Sequence, residues 1–295
     1  MTTQEPRRYK TIFFDLDGTL LPIDMDTFLR EYFSKLKAFA DKRGYDGEKI
    51  LFAVNKGVKA MLEEDTRAND LCFWETFEAL SGFTRAEFEP LLMEFYENDF
   101  DEIGETVMPN PAAARTVATL KEKGYQLFLT TMPLFPAIAV EARLRWAGID
   151  DASVFDRITT YDNSHAAKPQ LAYYEENIAL SAGEPDEILM VGNNTREDLA
   201  CCELGADGYL VTDWLLDPID FDYRAMKHGS LEDLLDFVTA LPSVHNGAFR
   251  LHARSHERPR ARRQLRNSAW HRENAAVHAR WNKCNGKGHS PRDAP

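Results

Sequence analysis

The hydrophobic pattern in the first third of the chain predicts one buried strand followed by several helices. Residues 11–14 read Thr-Ile-Phe-Phe, a β-branched and aromatic run that is typical of a buried strand. From residue 24 to residue 99 the apolar residues recur at helical spacing instead. These residues are Phe28, Tyr32, Phe33 and Leu36, and then Ile50, Phe52, Val54, Val58 and Leu62. Two more helices are predicted over 71–80 and 86–96, so the first strand is followed by a helical insert.

Downstream of this insert, predicted helices and strands alternate. Helices are predicted over 112–123, 137–146, 170–181, 197–204 and 231–240, and strands over 126–130, 154–160, 188–191 and 208–211. Strands that are separated by helices favour a parallel sheet with helices on both faces. We therefore predict an α/β fold in which residues 1–21 and 109–244 form the core and residues 22–108 form an all-helical cap.

The charge is distributed unevenly along the chain. The formal net charge of the 295 residues is −13, but residues 246–295 carry twelve Lys or Arg against three Asp or Glu and so have a net charge of +9. The preceding residues have a net charge of −22. An acidic body of this size disfavours nucleic-acid binding, because it repels phosphates before contact.

The basic tail over residues 245–295 has few large aliphatic residues and is predicted to be disordered. Its function stays open: it is either an arm for nucleic acid or an anionic membrane, or an aberrant extension of a domain that ends near Pro242. No run of about 20 apolar residues predicts a membrane helix, and the first ten residues lack the apolar stretch of a secretory signal. We therefore expect a cytoplasmic protein without a membrane partner.

The cysteines indicate neither a disulfide framework nor a zinc site. Cys72, Cys201, Cys202 and Cys284 show no C-x-x-C spacing, and two adjacent cysteines do not readily close a useful loop. We expect reduced thiols.

The strongest chemical signal is the segment Asp15-Leu16-Asp17-Gly18-Thr19-Leu20, which directly follows the first predicted strand. Two carboxylates that are separated by one residue in a loop can point the same way, so that one attacks a substrate while the other transfers protons. Gly18 permits the tight turn that this arrangement needs. The alternative is a structural Asp-rich turn between a strand and a helix.

This segment resembles the DxDGT signature of the haloacid dehalogenase-like superfamily, and three later segments resemble that family's other motifs in the same order. They are the strand that leads from Gly124 to Thr131, the pair Lys168-Pro169, and the stretch from Val191 to Asp198. The resemblance extends from about residue 10 to residue 211. It implies a Rossmann-like core with a helical cap inserted after the first motif, similar to phosphoglycolate phosphatases.

The resemblance also implies the ligands of a phosphoryl group. Thr131, with Thr130 as the alternative, would donate a hydrogen bond to phosphoryl oxygens, and Lys168 would neutralise their charge. Met132 departs from the family pattern, which often has Asn at this position.

A Mg²⁺ ion is the implied cofactor. Its ligands would be Asp15, the backbone carbonyl of Asp17, and Asn193, which stands where the family usually has Asp. An amide oxygen can still coordinate the ion but brings no charge. Asp198 would either reach the metal through a water molecule or orient Lys168.

The implied activity is the magnesium-dependent hydrolysis of a small phosphomonoester through an aspartyl phosphate. Asp15 would be the nucleophile and Asp17 the general acid and base. The expected partner is a small phosphorylated metabolite, and the expected assembly is a monomer or a homodimer. Two alternatives stay open: a phosphosugar mutase of the same superfamily, and a catalytically silent binding module.

Overall fold

The computed structural model describes residues 9–244. The predicted basic tail and Cys284 lie outside the described residues. The described cysteines Cys72, Cys201 and Cys202 are free thiols, as predicted.

A six-stranded parallel sheet forms the centre of the molecule. Its strands are β1 (Thr11–Phe14), β2 (Gln126–Leu129), β3 (Arg157–Ile158), β4 (Ile188–Gly192), β5 (Asp207–Val211) and β6 (Lys227–Gly229). Their order across the sheet is β3-β2-β1-β4-β5-β6, and every neighbouring pair is parallel. Because β1 lies between β2 and β4, the loops that follow these three strands emerge side by side.

Both faces of this sheet are buried at β1, β2, β4 and β5, as the apolar runs in these strands require. Phe13 stacks on Phe128 with ring centroids 5.4 Å apart, and this pair belongs to the apolar cluster on one face. The next residue, Phe14, points the other way and belongs to the larger cluster. Four α-helices of the core pack around the sheet. They are α5 (Pro111–Glu122), α6 (Ala137–Trp146), α7 (Leu171–Leu180) and α8 (Leu231–Ala240). The predicted α/β class, with helices on both faces of a parallel sheet, is confirmed.

Four helices follow β1 and form the predicted insert. They are α1 (Met25–Lys42), α2 (Gly47–Glu63), α3 (Asn69–Ser81) and α4 (Arg85–Asn98). The carboxylates of Asp24 and Asp46 cap α1 and α2, and Thr84 forms a capping box with Glu87 at the start of α4. The boundaries of the cap as a separate domain stay a prediction.

The aromatic residues of the insert mostly form its interior. Phe28, Tyr32 and Phe95 are buried and make edge contacts with neighbouring rings, including the core residue Phe135. Phe52 was predicted on the apolar face of α2, but its side chain is 40% exposed. The buried face of α2 instead includes Val54 and Val58, and Val54 lies on nearly the opposite side of the helix from Phe52.

The N-terminus of α3 joins the insert to the core. The first amide groups of an α-helix have no partner within the helix. Here the N–H groups of Asn69 and Asp70 donate to the carbonyls of Ser164 and Tyr161, both at 2.9 Å. A second link is the hydrogen bond of 2.9 Å from Gln170 Nε2 to the carbonyl of Leu62. The insert is therefore tied directly to the loop that carries Lys168.

Two element predictions needed correction, and one strand was missed. The strand expected over 154–160 is reduced to Arg157–Ile158, because Val154 lies in a short 3₁₀ helix and the side chain of Asn163 binds both the Thr160 amide and the Ile158 carbonyl. The helix expected over 197–204 is a 3₁₀ helix, Leu199–Leu204. Strand β6 was missed, because its sequence Lys-His-Gly has no apolar run. Within residues 9–244, no helix is both long and apolar enough to cross a membrane.

Candidate active site

The predicted chemical residues meet at the carboxyl edge of the sheet. Asp15 directly follows β1, and its N–H donates to the carbonyl of Val191 in β4 at 2.9 Å. On the other side, the N–H of Thr130 donates to the carbonyl of Phe14 at 2.7 Å. These ladder bonds bring the ends of β1, β2 and β4 together, so Asp15, Thr131 and Asn193 lie at adjacent positions.

Lys168 lies between two carboxylates. Its ammonium donates to Asp15 Oδ1 at 2.8 Å and to Asp198 Oδ1 at 2.7 Å. The side chains of Lys168 and Asp198 are each only 1% exposed. Burial by itself lowers the pKa of Lys168, but the charges of Asp15 and Asp198 outweigh this effect and hold the pKa above its usual value. Lys168 is therefore a fixed cation in contact with Asp15.

Both carboxylate oxygens of Asp198 accept hydrogen bonds. While Oδ1 accepts from Lys168, Oδ2 accepts from the backbone N–H groups of Asn193 at 3.0 Å and Asn194 at 2.9 Å. A Cβ atom on Gly192 would lie 2.2 Å from Asp198 Oδ2, so this close approach requires glycine. Burial raises the pKa of Asp198, and Lys168 and the backbone N–H of Asn194 oppose that shift. Asp198 thus supports Lys168 and shapes the loop after β4.

The oxygens of Asp15 and Asn193 face the same hydroxyl group. Thr19 Oγ1 is 3.0 Å from Asp15 Oδ2 and 3.4 Å from Asn193 Oδ1. The amide nitrogen of Asn193 donates to the carbonyl of Trp214 at 2.6 Å, which orients the amide oxygen towards Asp15. Gly18 has a φ of +79°, and a Cβ there would lie 2.2 Å from Asn193 Nδ2.

This donor set fits a Mg²⁺ ion, which prefers oxygen ligands. Within residues 9–244, no three side chains of His, Cys, Asp or Glu are arranged to hold a metal. The ligands that the family resemblance implies are a mixed set, namely the carboxylate of Asp15, the backbone carbonyl of Asp17 and the amide oxygen of Asn193, and the oxygens of Asp15 and Asn193 face one hydroxyl group. The oxygens of Asp198 already have Lys168 and two amides as partners.

Asp17 faces a different cation. Its Oδ2 accepts a hydrogen bond from Nη1 of Arg143, a residue of α6 whose side chain is 1% exposed. Burial raises the pKa of Asp17, the negative charge of Asp15 adds to the shift, and Arg143 opposes it. Asp17 Oδ1 and Arg143 Nη2 are both buried and have no hydrogen-bond partner.

Sequence reasoning missed Arg143. A signal was present, because Arg143 follows Ala139 by four residues and Val140 by three and so shares the buried face of α6 with them. Arg145 occurs in the same helix but is exposed.

The two candidate threonines differ in the use of their hydroxyl groups. Thr130 Oγ1 donates to the carbonyl of Phe14 at 3.3 Å. Thr131 Oγ1 is buried and has no partner, while the Thr131 carbonyl accepts from Thr159 and Tyr173. This difference favours Thr131 over Thr130 as a donor to a bound phosphoryl group.

A cavity of about 140 Å³ opens at this edge of the sheet. Asp15, Asp17, Asn193 and Asp198 contribute to its polar side. Its apolar side is formed by residues of the insert and of the loop after β2, which are Met25, Leu29, Met132, Leu134 and Phe135. The site therefore suits a small ligand with a charged end and a compact remainder.

The buried ion pairs of Lys168 should contribute to the stability of the fold. Replacing Lys168 by Met preserves much of the side-chain volume but leaves Asp15 and Asp198 without their counter-charge. We expect the free energy of unfolding to fall by about 3–5 kcal/mol, since breaking a buried ion pair leaves uncompensated charge. Urea unfolding followed by circular dichroism measures the change.

The control is Lys10→Met. Lys10 pairs with Glu187 at 2.7 Å, but the side chain of Lys10 is 48% exposed and that of Glu187 is 26% exposed. An exposed pair contributes about 1 kcal/mol or less. Equal losses in the two variants would contradict a structural role for the buried Lys168.

The chain is similar to known hydrolases. The family model of haloacid dehalogenase-like hydrolases matches residues 9–202. A curated relative, pyrophosphatase PpaX from Anoxybacillus flavithermus, is 29% identical over 191 residues, which are 64% of this chain and 77% of that protein.

The chain is also similar to solved structures. One is a predicted phosphoglycolate phosphatase from Haemophilus somnus, which is 18% identical and has a TM-score of 0.48. The match covers 78% of this chain and 97% of that protein. A HAD phosphatase from Thermococcus onnurineus is 20% identical and has a TM-score of 0.48. That match covers 80% of this chain and 100% of that protein. Because the family model spans more than half of the chain, the protein belongs to the haloacid dehalogenase-like hydrolase family, which confirms the resemblance carried by its four motifs.

Proposed function

We propose that the protein is a magnesium-dependent phosphohydrolase that cleaves a small phosphomonoester through an aspartyl phosphate on Asp15. The observation that carries this proposal is the environment of Asp15. Lys168 holds one of its oxygens at 2.8 Å and Thr19 holds the other at 3.0 Å, and the carboxylate lines the cavity. A nucleophile fixed in this way is aligned before the substrate arrives.

In the first half-reaction, an oxygen of Asp15 forms a bond to phosphorus while the bond from phosphorus to the leaving oxygen breaks. Asp17 protonates that leaving oxygen, so the alcohol departs neutral. Burial and the charge of Asp15 raise the pKa of Asp17, which favours the protonated form that this step needs. Its unpartnered Oδ1 is the oxygen available to the leaving group.

In the second half-reaction, water attacks the phosphorus of the aspartyl phosphate. Asp17, now ionised, accepts the proton of that water, and the bond from phosphorus to Asp15 breaks. Arg143 stabilises Asp17 in its ionised form through their ion pair. The products are inorganic phosphate and the regenerated carboxylate of Asp15.

The remaining residues stabilise the transferred phosphoryl group. Lys168 and the hydroxyl group of Thr131 would bind its oxygens as negative charge develops on them. Asp15, the Asp17 carbonyl and Asn193 would hold Mg²⁺, which supplies positive charge between the nucleophile and the phosphoryl group. Asp198 acts by orienting Lys168.

The cavity size favours a small substrate, such as a phosphorylated metabolite. Because one curated relative is a pyrophosphatase, PpaX, inorganic pyrophosphate is one of the compounds to test. A cytoplasmic location and a monomer or homodimer stay predictions.

The nucleophile is tested with Asp15→Asn, which keeps the size of the side chain but removes its charge. We expect phosphate release from a panel of small phosphate compounds to require Mg²⁺, and Asp15→Asn to lower kcat by about a thousandfold or more. A colorimetric assay of released phosphate measures both effects, with EDTA as the test of metal dependence.

Asp150→Asn is the matched control, because Asp150 is an exposed carboxylate. It should keep wild-type kcat. Substantial phosphate release by Asp15→Asn would refute the covalent mechanism, whereas the absence of release from the whole panel by the wild type would favour the silent binding module.

The phosphate ligand is tested with Thr131→Val and Thr130→Val, which each replace a hydroxyl group by a methyl group. A hydrogen bond to a charged group contributes about 1.5–3 kcal/mol, so Thr131→Val should lower kcat/KM about 10-fold to 100-fold. Thr130→Val should change kcat/KM by less than about threefold, because the Thr130 hydroxyl already donates to Phe14. The reverse order of effects would assign the phosphoryl contact to Thr130.

A further inference from the structure

Arg143 has a buried donor that the proposed mechanism leaves unused. Its side chain is 1% exposed, and Nη2 has no hydrogen-bond partner. An unsatisfied donor is unfavourable in a protein interior, and a charged donor more so. Such groups usually have a structural partner or a ligand.

The rest of the guanidinium group is held in place. Nε donates to the carbonyl of Ala139 at 3.2 Å, and Nη1 donates to Asp17. The group also lies over the ring of Phe135, with 4.7 Å between the guanidinium carbon and the ring centroid. Because these three contacts fix its plane, Nη2 cannot turn to another partner without breaking one of them.

Arg143 also lines the cavity beside Asp17. In the proposed mechanism Asp17 protonates the leaving oxygen, so a group attached to that oxygen would lie close to Arg143. The same cavity is lined by the apolar side chains of Leu29, Leu134 and Phe135, and the ring of Phe135 lies against the guanidinium group. A cation with a free donor in an apolar wall favours an anionic group over a neutral hydroxyl-bearing one.

We propose that Arg143 determines substrate specificity by binding, through Nη2, a second anionic group on the leaving side of the substrate. This inference rests on the proposed phosphohydrolase function. The preferred substrates are then small compounds in which a carboxylate or a second phosphate lies next to the transferred phosphoryl group. In the bound state the buried donor gains the partner that it lacks in the free protein.

If the role of Arg143 were purely structural, its loss would affect the substrates differently from the loss of a specificity residue. If Arg143 only balances the charge of Asp17, its loss changes the acid step for every substrate by the same factor. A specificity role changes the ratio of kcat/KM between substrates with and without the second anionic group.

The test compares Arg143→Met with the wild type on three substrates at saturating Mg²⁺. Pyrophosphate and 2-phosphoglycolate carry a second anionic group, and ethyl phosphate does not. We expect the wild type to prefer at least one of the first two, and Arg143→Met to reduce that preference at least about tenfold. Which of the two is preferred identifies the anion as phosphate or carboxylate. Arg143→Lys, which keeps the charge but loses the planar fork, should give an intermediate ratio.

Arg145→Met is the control, because Arg145 lies on the same helix but pairs with Asp101 at the surface. It should leave the ratio unchanged. An equal loss of kcat/KM on all three substrates in Arg143→Met would overturn the specificity role.

If the variants do not fold or do not turn over substrate, the preference for a second anionic group can be measured through the binding of phosphonate analogues. Calorimetry should show methylenediphosphonate or phosphonoacetate binding at least about tenfold tighter than methylphosphonate. Similar affinities for all three would overturn the inference. If no phosphate compound is hydrolysed but the wild type shows this binding preference and Arg143→Met loses it, the proposed catalytic function fails and the Arg143 site stands.

Discussion

The buried ammonium of Lys168 is the constraint on which the site depends. Three ionised groups that are removed from water are unfavourable unless their charges and hydrogen bonds compensate one another. Here Asp15, Lys168 and Asp198 satisfy each other only because the ends of β1 and β4 and the loop before α7 meet at one edge of the sheet. Parallel pairing therefore creates the site as well as the core.

The two carboxylates of the first motif are separated by one residue, yet they lie in different environments. Asp15 contacts Lys168 and Thr19, which hold its carboxyl group in place beside the cavity. Asp17 is buried against Arg143, and its pKa is raised. Carboxylates in unlike surroundings can take unlike roles, one as the nucleophile and one as the proton donor. The insert completes this arrangement, because α1 supplies apolar residues to the same cavity.

The sequence predicted the parts of this structure that depend on local patterns. Apolar runs followed by Gly or Asp residues indicated β1 and β4, and the motif order indicated that Asp15, Lys168 and Asn193 would meet. Contacts between distant segments were harder to predict. Arg143 approaches Asp17 only through the packing of α6. For Asp198 the sequence left two roles open, and in the structure its Oδ1 accepts a hydrogen bond from Lys168. Strand β6 pairs at the edge through its backbone, and its side chains carry no apolar signal.

In the proposed mechanism, Asp15 carries the phosphoryl group during turnover. The most direct measurement is rapid acid quenching of the enzyme with a hydrolysed substrate, followed by mass spectrometry of its peptides. We expect the mass of one phosphoryl group on the peptide that contains Asp15, and its absence in Asp15→Asn. Phosphate release without any phosphorylated peptide, or with the group on another residue, would contradict the account.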